Sequence, residues 1–416
     1  MASLDDELAR RLADLHSSGL YRELRCVDSA QSPRLLLDGK PLLNFSSNDY
    51  LGLADDPVLK EAAIHAIERF GAGAGASRLI CGSLAVHHEL DEAVAAFKGT
   101  PAAITFSTGY AAALGTICAL LGNEDVIIID KLVHACIVDA ARLCGAKLRV
   151  FAHNDLDDLE DMLKWARERG YGAAGKGRAL LVTESVFSMD GDQAPLRQLV
   201  QLKQKYGAWL MVDEAHTTGL YGANRRGLAE ELGVAGSIDV QMGTLGKALG
   251  ASGGYICGSR RLVDYLINRS RSLIFSTAPV PAAAAAATAG IRFVQSAKGA
   301  ERCRLLWQRV AEVLGRESGL PQATDCPRPL GTSAILPIMI GDEVETVSTA
   351  AKLRQLGIFI PAIRYPTVAR GAARLRLTLT AAHTTADIQQ LMAALGGLNL
   401  ALRPSHFAPR SHAPAG

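Results

Sequence analysis

The chain has 416 residues, 49% of them apolar, with 44 basic and 42 acidic side chains and a formal charge of +2. That length exceeds one ordinary core and that apolar content excludes a disordered chain, so a large and a small domain are expected. Near-neutral charge gives no footprint for nucleic acid or an acidic membrane, while 40 glycines and 5% aromatics suit a glycine-rich α/β enzyme.

In chain order, MASLDDELARRLADL places acids where a signal peptide needs basic and then apolar residues. Leu4, Leu8, Leu12 and Leu15 share one face of an amphipathic helix. Asp38-Gly39 between two apolar stretches, Leu35–Leu37 and Leu42–Phe45, signals a hairpin. Asp56-Pro57 opens a helix that runs to Phe70 and stops at Gly71, and Ser83 is a candidate cap for another ending near Lys98-Gly99. Apolar runs then recur at Ala102–Phe106, Val126–Ile129, Leu148–Phe151, Leu180–Thr183, Leu210–Val212, Val240–Met242 and Tyr255–Cys257, mostly separated by helical stretches. Short apolar strands alternating with helices predict a mainly parallel sheet covered on both faces.

After Pro281 an Ala-rich helix runs toward Lys298 as a connector. Beyond Leu330, the short runs Ala334–Ile340, Gly357–Ile360 and Leu375–Leu379 predict a smaller α+β domain. The closing ALRPSHFAPRSHAPAG reads as a disordered tail. The expected divisions are 1–50 (helix and hairpin, packing with the small domain), 51–290 (large domain), 291–400 (small domain) and 401–416 (tail). The longest low-polarity run, Ala278–Ile291, carries Pro279 and Pro281 and is too short for a bilayer, so a soluble, cytoplasmic protein is expected. The 8 cysteines are scattered, which argues against a disulfide framework or structural zinc and for free thiols, most of them buried, in a reducing compartment.

In parallel sheets ligands bind at the carboxyl ends of strands, and four such ends carry chemistry. Ser107-Thr108-Gly109-Tyr110 follows a strand and starts a helix, which makes either an anion cradle or an ordinary helix cap. His134 lies just after Asp130, at the end of the next strand; alone, such a histidine is more often a satisfied imidazole. Asp213-Glu214-Ala215-His216 closes the strand WLMV, and an acid there is costly unless a cation or donor faces it. Lys247 sits among glycines in GTLGKALG, where backbone can approach a ligand and a lysine can lose its proton by desolvation.

LMVDEAH resembles the magnesium-binding strand of a helicase-type ATPase, but that reading needs an upstream GxxxxGK followed by Ser or Thr. Gly243–Lys247 has the wrong spacing, lies downstream and is followed by Ala248, so the reading fails. Pyridoxal 5'-phosphate (PLP) accounts for all four ends: a lysine for the Schiff base, a carboxylate for the pyridine nitrogen, a phosphate cradle and a flat group on the ring. Asp213 and Lys247 are 34 positions apart, which fits one intervening helix and strand.

The motifs FSSNDYLGL (Phe45–Leu53), GAGASRLICGS (Gly73–Ser83), STGYAA (Ser107–Ala112), TESVFSMDGDQAPL (Thr183–Leu196), VDEAHTTG (Val212–Gly219), GTLGKALGASGGY (Gly243–Tyr255), IFSTAPVP (Ile274–Pro281) and ARLRLTLTAAHT (Ala373–Thr384) resemble the α-oxoamine synthases. These are fold-type I PLP transferases, and the likeness spans about Leu20 to Leu395. It implies a seven-stranded large domain, a homodimer with shared active sites, and an acyltransferase. The nearest members join L-alanine to a pimeloyl thioester of CoA or acyl carrier protein, with loss of carbon dioxide, in biotin biosynthesis. Glycine C-acetyltransferase or another α-oxoamine synthase is the alternative, and an aminotransferase a more distant one.

By the same resemblance Lys247 carries the Schiff base and Asp213 pairs with the ring nitrogen. His134 stacks on the ring, while His216 and Ser188 contact its phenolic oxygen. Gly109, Tyr110 and Thr244 hold the phosphate, with Thr277 of the neighbouring subunit. Arg364 grips the substrate carboxylate, Thr367 orients that region, and Arg22 and Asn48 lie near the acyl substrate. No metal is implied. Tyr365 replaces the family's proline after the gripping arginine, and its bulk is expected to narrow the acyl pocket.

Overall fold

The computed structural model describes residues 3–172, 175–315 and 331–401. Strands β1 (Arg34–Leu37) and β2 (Lys40–Asn44) form the expected hairpin, with Leu37 opposite Lys40. Asp38 and Gly39 supply the left-handed φ values of 49° and 73° that a two-residue turn demands.

All seven apolar runs are strands of one sheet: β3 (Ala102–Phe106), β4 (Val126–Asp130), β5 (Lys147–Phe151), β6 (Ala179–Glu184), β7 (Trp209–Asp213), β8 (Val240–Thr244) and β9 (Gly254–Gly258). Their order is β3-β9-β8-β7-β6-β4-β5. β8, β7, β6, β4 and β5 run parallel, and β9 is antiparallel to both its neighbours. Side chains alternate between two buried layers. Val126, Ile128, Leu181 and Val212 face helices Ala85–Lys98, Leu156–Glu168, Leu196–Tyr206 and Pro281–Gln295, while Ile127, Ile129, Val182 and Met211 face Gly109–Leu120, Ala135–Leu143 and Arg260–Arg269. Burial on both faces, at about 1.5–3 kcal/mol for each large aliphatic side chain, fixes the sheet and hence the row of strand ends.

Toward the C-terminus, β10 (Ile335–Gly341), β13 (Ala373–Thr378) and β12 (Ala362–Ile363) form an antiparallel sheet, and β11 (Ile358–Phe359) adds parallel to β2. The N-terminal hairpin is thus joined by main-chain hydrogen bonds to the C-terminal part. β13 is buried along its whole length and still carries two arginines. Arg374 pairs with Asp190, and Arg376 Nε donates to the Ser188 carbonyl at 2.6 Å. Both therefore lock the 188–190 loop against β13.

Several local expectations are corrected. Helix Ala85–Lys98 is not capped by Ser83; His87 Nδ1 accepts from the Leu84 N–H at 3.1 Å, and the Ser83 hydroxyl meets Arg78 and His88 instead. The Ala-rich helix stops at Gln295 because Ser296 caps a separate helix, Ala297–Val313. Helix Leu4–Ser17 forms but buries none of its residues, since no described element covers its leucine face. Among the cysteines, Cys136 and Cys257 are buried free thiols, but Cys26 and Cys81 are exposed and Cys303 is disulfide-bonded, against the expectation of free thiols throughout. Cys326 lies outside the described residues, as does all of the expected tail except Ala401. No described helix is long and apolar enough to cross a membrane.

Candidate active site

The carboxyl edge of the large sheet brings acids and polar turns into one row. Asp213 closes β7 and Glu184 closes β6 directly opposite it in the strand register. Thr244 closes β8, Asp130 closes β4, and the Ser107–Tyr110 turn follows β3. A chain folding this sheet has no choice but to gather those side chains.

Lys247 reaches back over this edge. Its Nζ lies 2.7 Å from His216 Nε2, and His216 Nδ1 lies 2.6 Å from the Tyr50 hydroxyl. Tyr50 donates to Asn48 Oδ1 at 3.4 Å, and Arg376 Nη2 donates to the same oxygen at 3.1 Å. Lys247, His216, Tyr50, Asn48 and Arg376 therefore form one polar chain that connects the large sheet to the N-terminal segment and β13.

Burial sets the protonation states along it. Desolvation pulls the Lys247 amine down to about 8, although Asp213 and Glu184 work in the opposite direction. Desolvation, then the charges of Lys247 and Arg376, holds His216 well below an ordinary imidazole, so its ring stays neutral. Burial pushes the Tyr50 phenol up to about 12. A lysine facing a neutral ring, in a dry site, is a nucleophilic amine near neutral pH.

Asp213 is 5% exposed, and its Oδ1 accepts the Ala215 N–H at 2.9 Å. Desolvation raises its pKa, while Lys247 and His134 stabilise its charge. Asp213, His134 and Lys247 thus influence one another's charge at this edge of the sheet. His134 caps helix Ala135–Leu143, accepting the Cys136 N–H at Nδ1, and the residue is exposed.

The turn after β3 is both a cap and a cradle. Thr108 accepts the Ala111 N–H at 3.0 Å, which leaves the Gly109 and Tyr110 amides at the start of helix Gly109–Leu120. A Cβ on Gly254 would stand 2.5 Å from Gly109 Cα, so β9 passes against this turn only because it carries glycine. The Thr244 hydroxyl accepts the Gly246 N–H at 3.2 Å and donates to Gly253 O at 2.9 Å, shaping the loop before Lys247. Tyr110 is exposed and its hydroxyl is held by Asp139. Thr277, exposed, lines a small crevice with Ser107 and Arg78 of the same chain.

Arg364 is half-buried. Its Nη2 donates to Tyr21 O at 2.6 Å, its Nε is buried without a partner, and desolvation followed by the Arg22 charge lowers its pKa. Arg22 Nη2 returns the bond, donating to Tyr365 O at 3.4 Å, so two guanidiniums cross-link Tyr21–Arg22 to Arg364–Tyr365 without a carboxylate between them. Thr367 is exposed, and its N–H donates to Arg364 O at 3.0 Å. The Tyr365 ring is 40% exposed with the Arg370 guanidinium 4.5 Å above it, so it occupies the surface beside the arginines. Ser188 is half-buried and is fixed through its carbonyl by Arg376.

Three participants are not singled out by the sequence reading: Tyr50, Glu184 and Arg376. Tyr50 and Arg376 sit inside the motifs FSSNDYLGL and ARLRLTL but become polar partners only in three dimensions. Glu184 obeys the rule that singles out Asp213, an acid at the end of a buried strand, and that signal was available. Its Oε1 is buried without a partner, and burial, then Asp213, pushes its pKa well above the carboxylate range.

A doubly wound sheet whose carboxyl edge presents a desolvated lysine, a buried aspartate and a helix-start anion cradle defines an enzyme that tethers an aldehyde cofactor. Residues 40–395 match the model of the family described as aminotransferase class I and II. The chain is 46% identical over 385 residues to the 8-amino-7-oxononanoate synthase of Geotalea daltonii, covering 92% of this chain and 95% of that one. It is 45% identical over 388 residues to the enzyme of the same name from Geobacter sulfurreducens, covering 93% and 96%. Among solved structures, serine palmitoyltransferase from S. paucimobilis, with a bound PLP–myriocin adduct, superposes with a TM-score of 0.84 at 31% identity, covering 96% of this chain and 100% of that chain. The 8-amino-7-oxononanoate synthase of Francisella tularensis superposes with a TM-score of 0.67 at 26% identity, covering 86% and 98%. The chain belongs to the aminotransferase class I and II family, and within it to the α-oxoamine synthases.

Proposed function

We propose that this protein is a PLP-dependent acyltransferase that condenses L-alanine with a pimeloyl thioester, releasing carbon dioxide and the thiol to form 8-amino-7-oxononanoate. The observation that carries the reading is the buried Lys247 amine, lowered to about 8, with the Asp213 carboxylate near enough to oppose that shift. The residues fit the cofactor. Asp213 is a buried acid at a strand end, the Gly109 turn starts a helix whose first amides suit a phosphate, and Arg364 Nε is buried without a partner. Identity of 46% to a named 8-amino-7-oxononanoate synthase supports the substrate pair.

Bound there, PLP supplies an aldehyde for the lysine and a ring that stabilises negative charge at the amino acid's Cα. The chain's residues do the rest. Gly109, Tyr110 and Thr244 hold the phosphate, with Thr277 contributed across a dimer interface. His134 lies on the ring face, and His216 and Ser188 meet the phenolic oxygen. Asp213 keeps a proton on the ring nitrogen. Lys247, neutral near its lowered pKa, removes the Cα proton and later returns one. Arg364, oriented by the segment containing Thr367, takes the alanine carboxylate with its planar fork. Arg22 and Asn48 border the acyl chain, which is carried in as a CoA or carrier-protein thioester. The divisions at residues 50 and 290, and a cytoplasmic homodimer, belong to the same proposal.

The fold superposes more closely on serine palmitoyltransferase than on the Francisella enzyme, and that favours a second reading in which serine and a longer acyl thioester are used. Free-thiol release from pimeloyl-CoA with alanine, glycine or serine, and from acetyl- and palmitoyl-CoA, separates these readings. Turnover should be greatest with alanine and pimeloyl-CoA. Greater turnover with serine and palmitoyl-CoA, or with glycine and acetyl-CoA, overturns the first reading.

A further inference from the structure

The parallel strands also have an amino edge, and it contains a cavity of about 700 Å³, within the range of sites that enclose a drug-sized ligand. Along β7 it lies roughly 13 Å from Asp213, four residues at strand spacing, so it is separate from the lysine site. Leu120, Ile238, Val240 and Leu262 give it apolar walls, and the rings of Trp209 and Tyr265 are 37% and 44% exposed at it. Half-open aromatic rings beside a concave apolar surface are costly to leave facing water and mark a place for a flat apolar group.

The charges around it have one sign to offer. Asp239 is already engaged by Lys203 Nζ at 2.6 Å and by the Leu210 N–H at 2.7 Å. Lys98 is consumed by Glu214, 2.6 Å away. Arg178 lies 3.6 Å from Asp125, with 56% of its side chain exposed, and its guanidinium stands 5.9 Å from the Trp209 ring. Arg261 has no ion pair among the described residues, and no hydrogen bond of the Tyr265 hydroxyl is present among them. Left for a ligand at the cavity are the Arg261 cation, the Tyr265 phenol and the half-exposed rings.

We infer that the cavity between β7, β8 and helix Arg260–Arg269 binds a small aromatic anion, its flat body between Trp209 and the Leu262 wall and its charge on Arg261. The Arg178 guanidinium completes the positive rim, and the Tyr265 hydroxyl supplies a donor. A planar guanidinium suits a carboxylate or sulfonate through two parallel bonds, and the apolar walls supply the remainder of the affinity.

The test uses the full-length, PLP-loaded protein and 8-anilinonaphthalene-1-sulfonate as the probe. Two variants isolate the cavity. Gly236 lines it, has ordinary φ, and a Cβ there meets nothing within 4 Å, so Gly236→Phe adds a bulky ring at the cavity's edge without a backbone clash. Arg261→Glu reverses the charge at an exposed helix position. The expected result is saturable fluorescence enhancement from one site per chain, insensitive to saturating L-alanine. Gly236→Phe should abolish it, and Arg261→Glu should weaken it by at least about tenfold. Both variants should keep the parent's thermal midpoint and thiol-release rate. Absence of saturable binding, equal binding by parent and both variants, or displacement of the probe by L-alanine overturns the assignment.

Discussion

Glu184 and Asp213 stand opposite each other in the parallel pairing of β6 and β7, two carboxyls on the closing residues of neighbouring strands. Two buried acids this close to each other do not both ionise readily. Lys247 and His134 stabilise charge on Asp213, whereas Glu184 has an unpartnered Oε1 and a pKa driven well above the carboxylate range by burial and then by Asp213. Glu184 is therefore the protonated member and Asp213 the charged one.

That division predicts unequal mutants. Glutamine reproduces a protonated glutamate, so Glu184→Gln should keep kcat within about tenfold of the parent. Asp213→Asn removes the charge proposed to face the ring nitrogen and should lower kcat by at least about a hundredfold. Steady-state thiol release measures both. Equal losses would show that the two carboxyls share the charge.

The Lys247 amine gives a pH signature. Its folded-state pKa is depressed from 10.5 to about 8, chiefly by desolvation, so folding disfavours the ammonium. The stability penalty is absent above the unfolded value and is fully imposed once pH falls through the folded one. Capture of added PLP by the cofactor-free protein needs the free amine, so its rate should rise with pH and level off just above 8. A rate still climbing at pH 10 would mean an ordinary, solvated lysine.

His153 is clamped between Asp130 Oδ1 at 2.9 Å and Asp192 Oδ2 at 2.7 Å. Burial opposes the imidazolium, but the two carboxylates outweigh it and hold the pKa up to about 10. The clamp ties the end of β4, three residues before Val133 and the His134 turn, to the loop that carries Ser188. Because the folded pKa is raised, its stabilisation is complete below pH 6.5 and is lost as pH rises through about 10. His153→Gln should cost about 1.5–3 kcal/mol at pH 7 and distinctly less above pH 10, read from urea midpoints. A cost independent of pH would show that packing alone is lost.

Arg364, proposed to take the alanine carboxylate, donates from Nη2 to Tyr21 O and has its Nε without a partner. Arg364→Lys keeps the charge but not the planar pair of donors, so the KM for alanine should rise by about tenfold or more while the KM for the thioester changes little. A rise confined to the thioester would move Arg364 to the acyl side.

The seven strands of the large sheet were legible because burial on both faces writes each strand as an uninterrupted apolar run, with every boundary within two residues. Asp213, His134 and Lys247 were legible as polar residues at the ends of such runs, and the chemistry of one cofactor joined them. The hairpin at Asp38-Gly39 was legible from its turn residues alone. What the sequence hid depends on distance along the chain. Tyr50 meets His216 across 166 positions and Arg376 meets Asn48 across 328, and no periodicity encodes such pairs. Arg374 and Arg376 lie in a fully buried strand, where local pattern alone would place them outside a core; their partners at Asp190 and Ser188 explain them. The Ser83 cap failed because Leu84 takes the N-cap position and the Ser83 hydroxyl meets Arg78 and His88, and the break at Ser296 is invisible within an alanine-rich helical pattern.

The account rests on Lys247 as the residue that bonds the cofactor. Reducing the PLP-loaded protein with borohydride and mapping the pyridoxyl group by peptide mass spectrometry tests it directly. The label should sit on the peptide containing Lys247 in the parent and be absent from that position in Lys247→Ala, which should also lose the visible absorbance of the tethered cofactor. A label on another lysine, or an unchanged visible spectrum in Lys247→Ala, would contradict it.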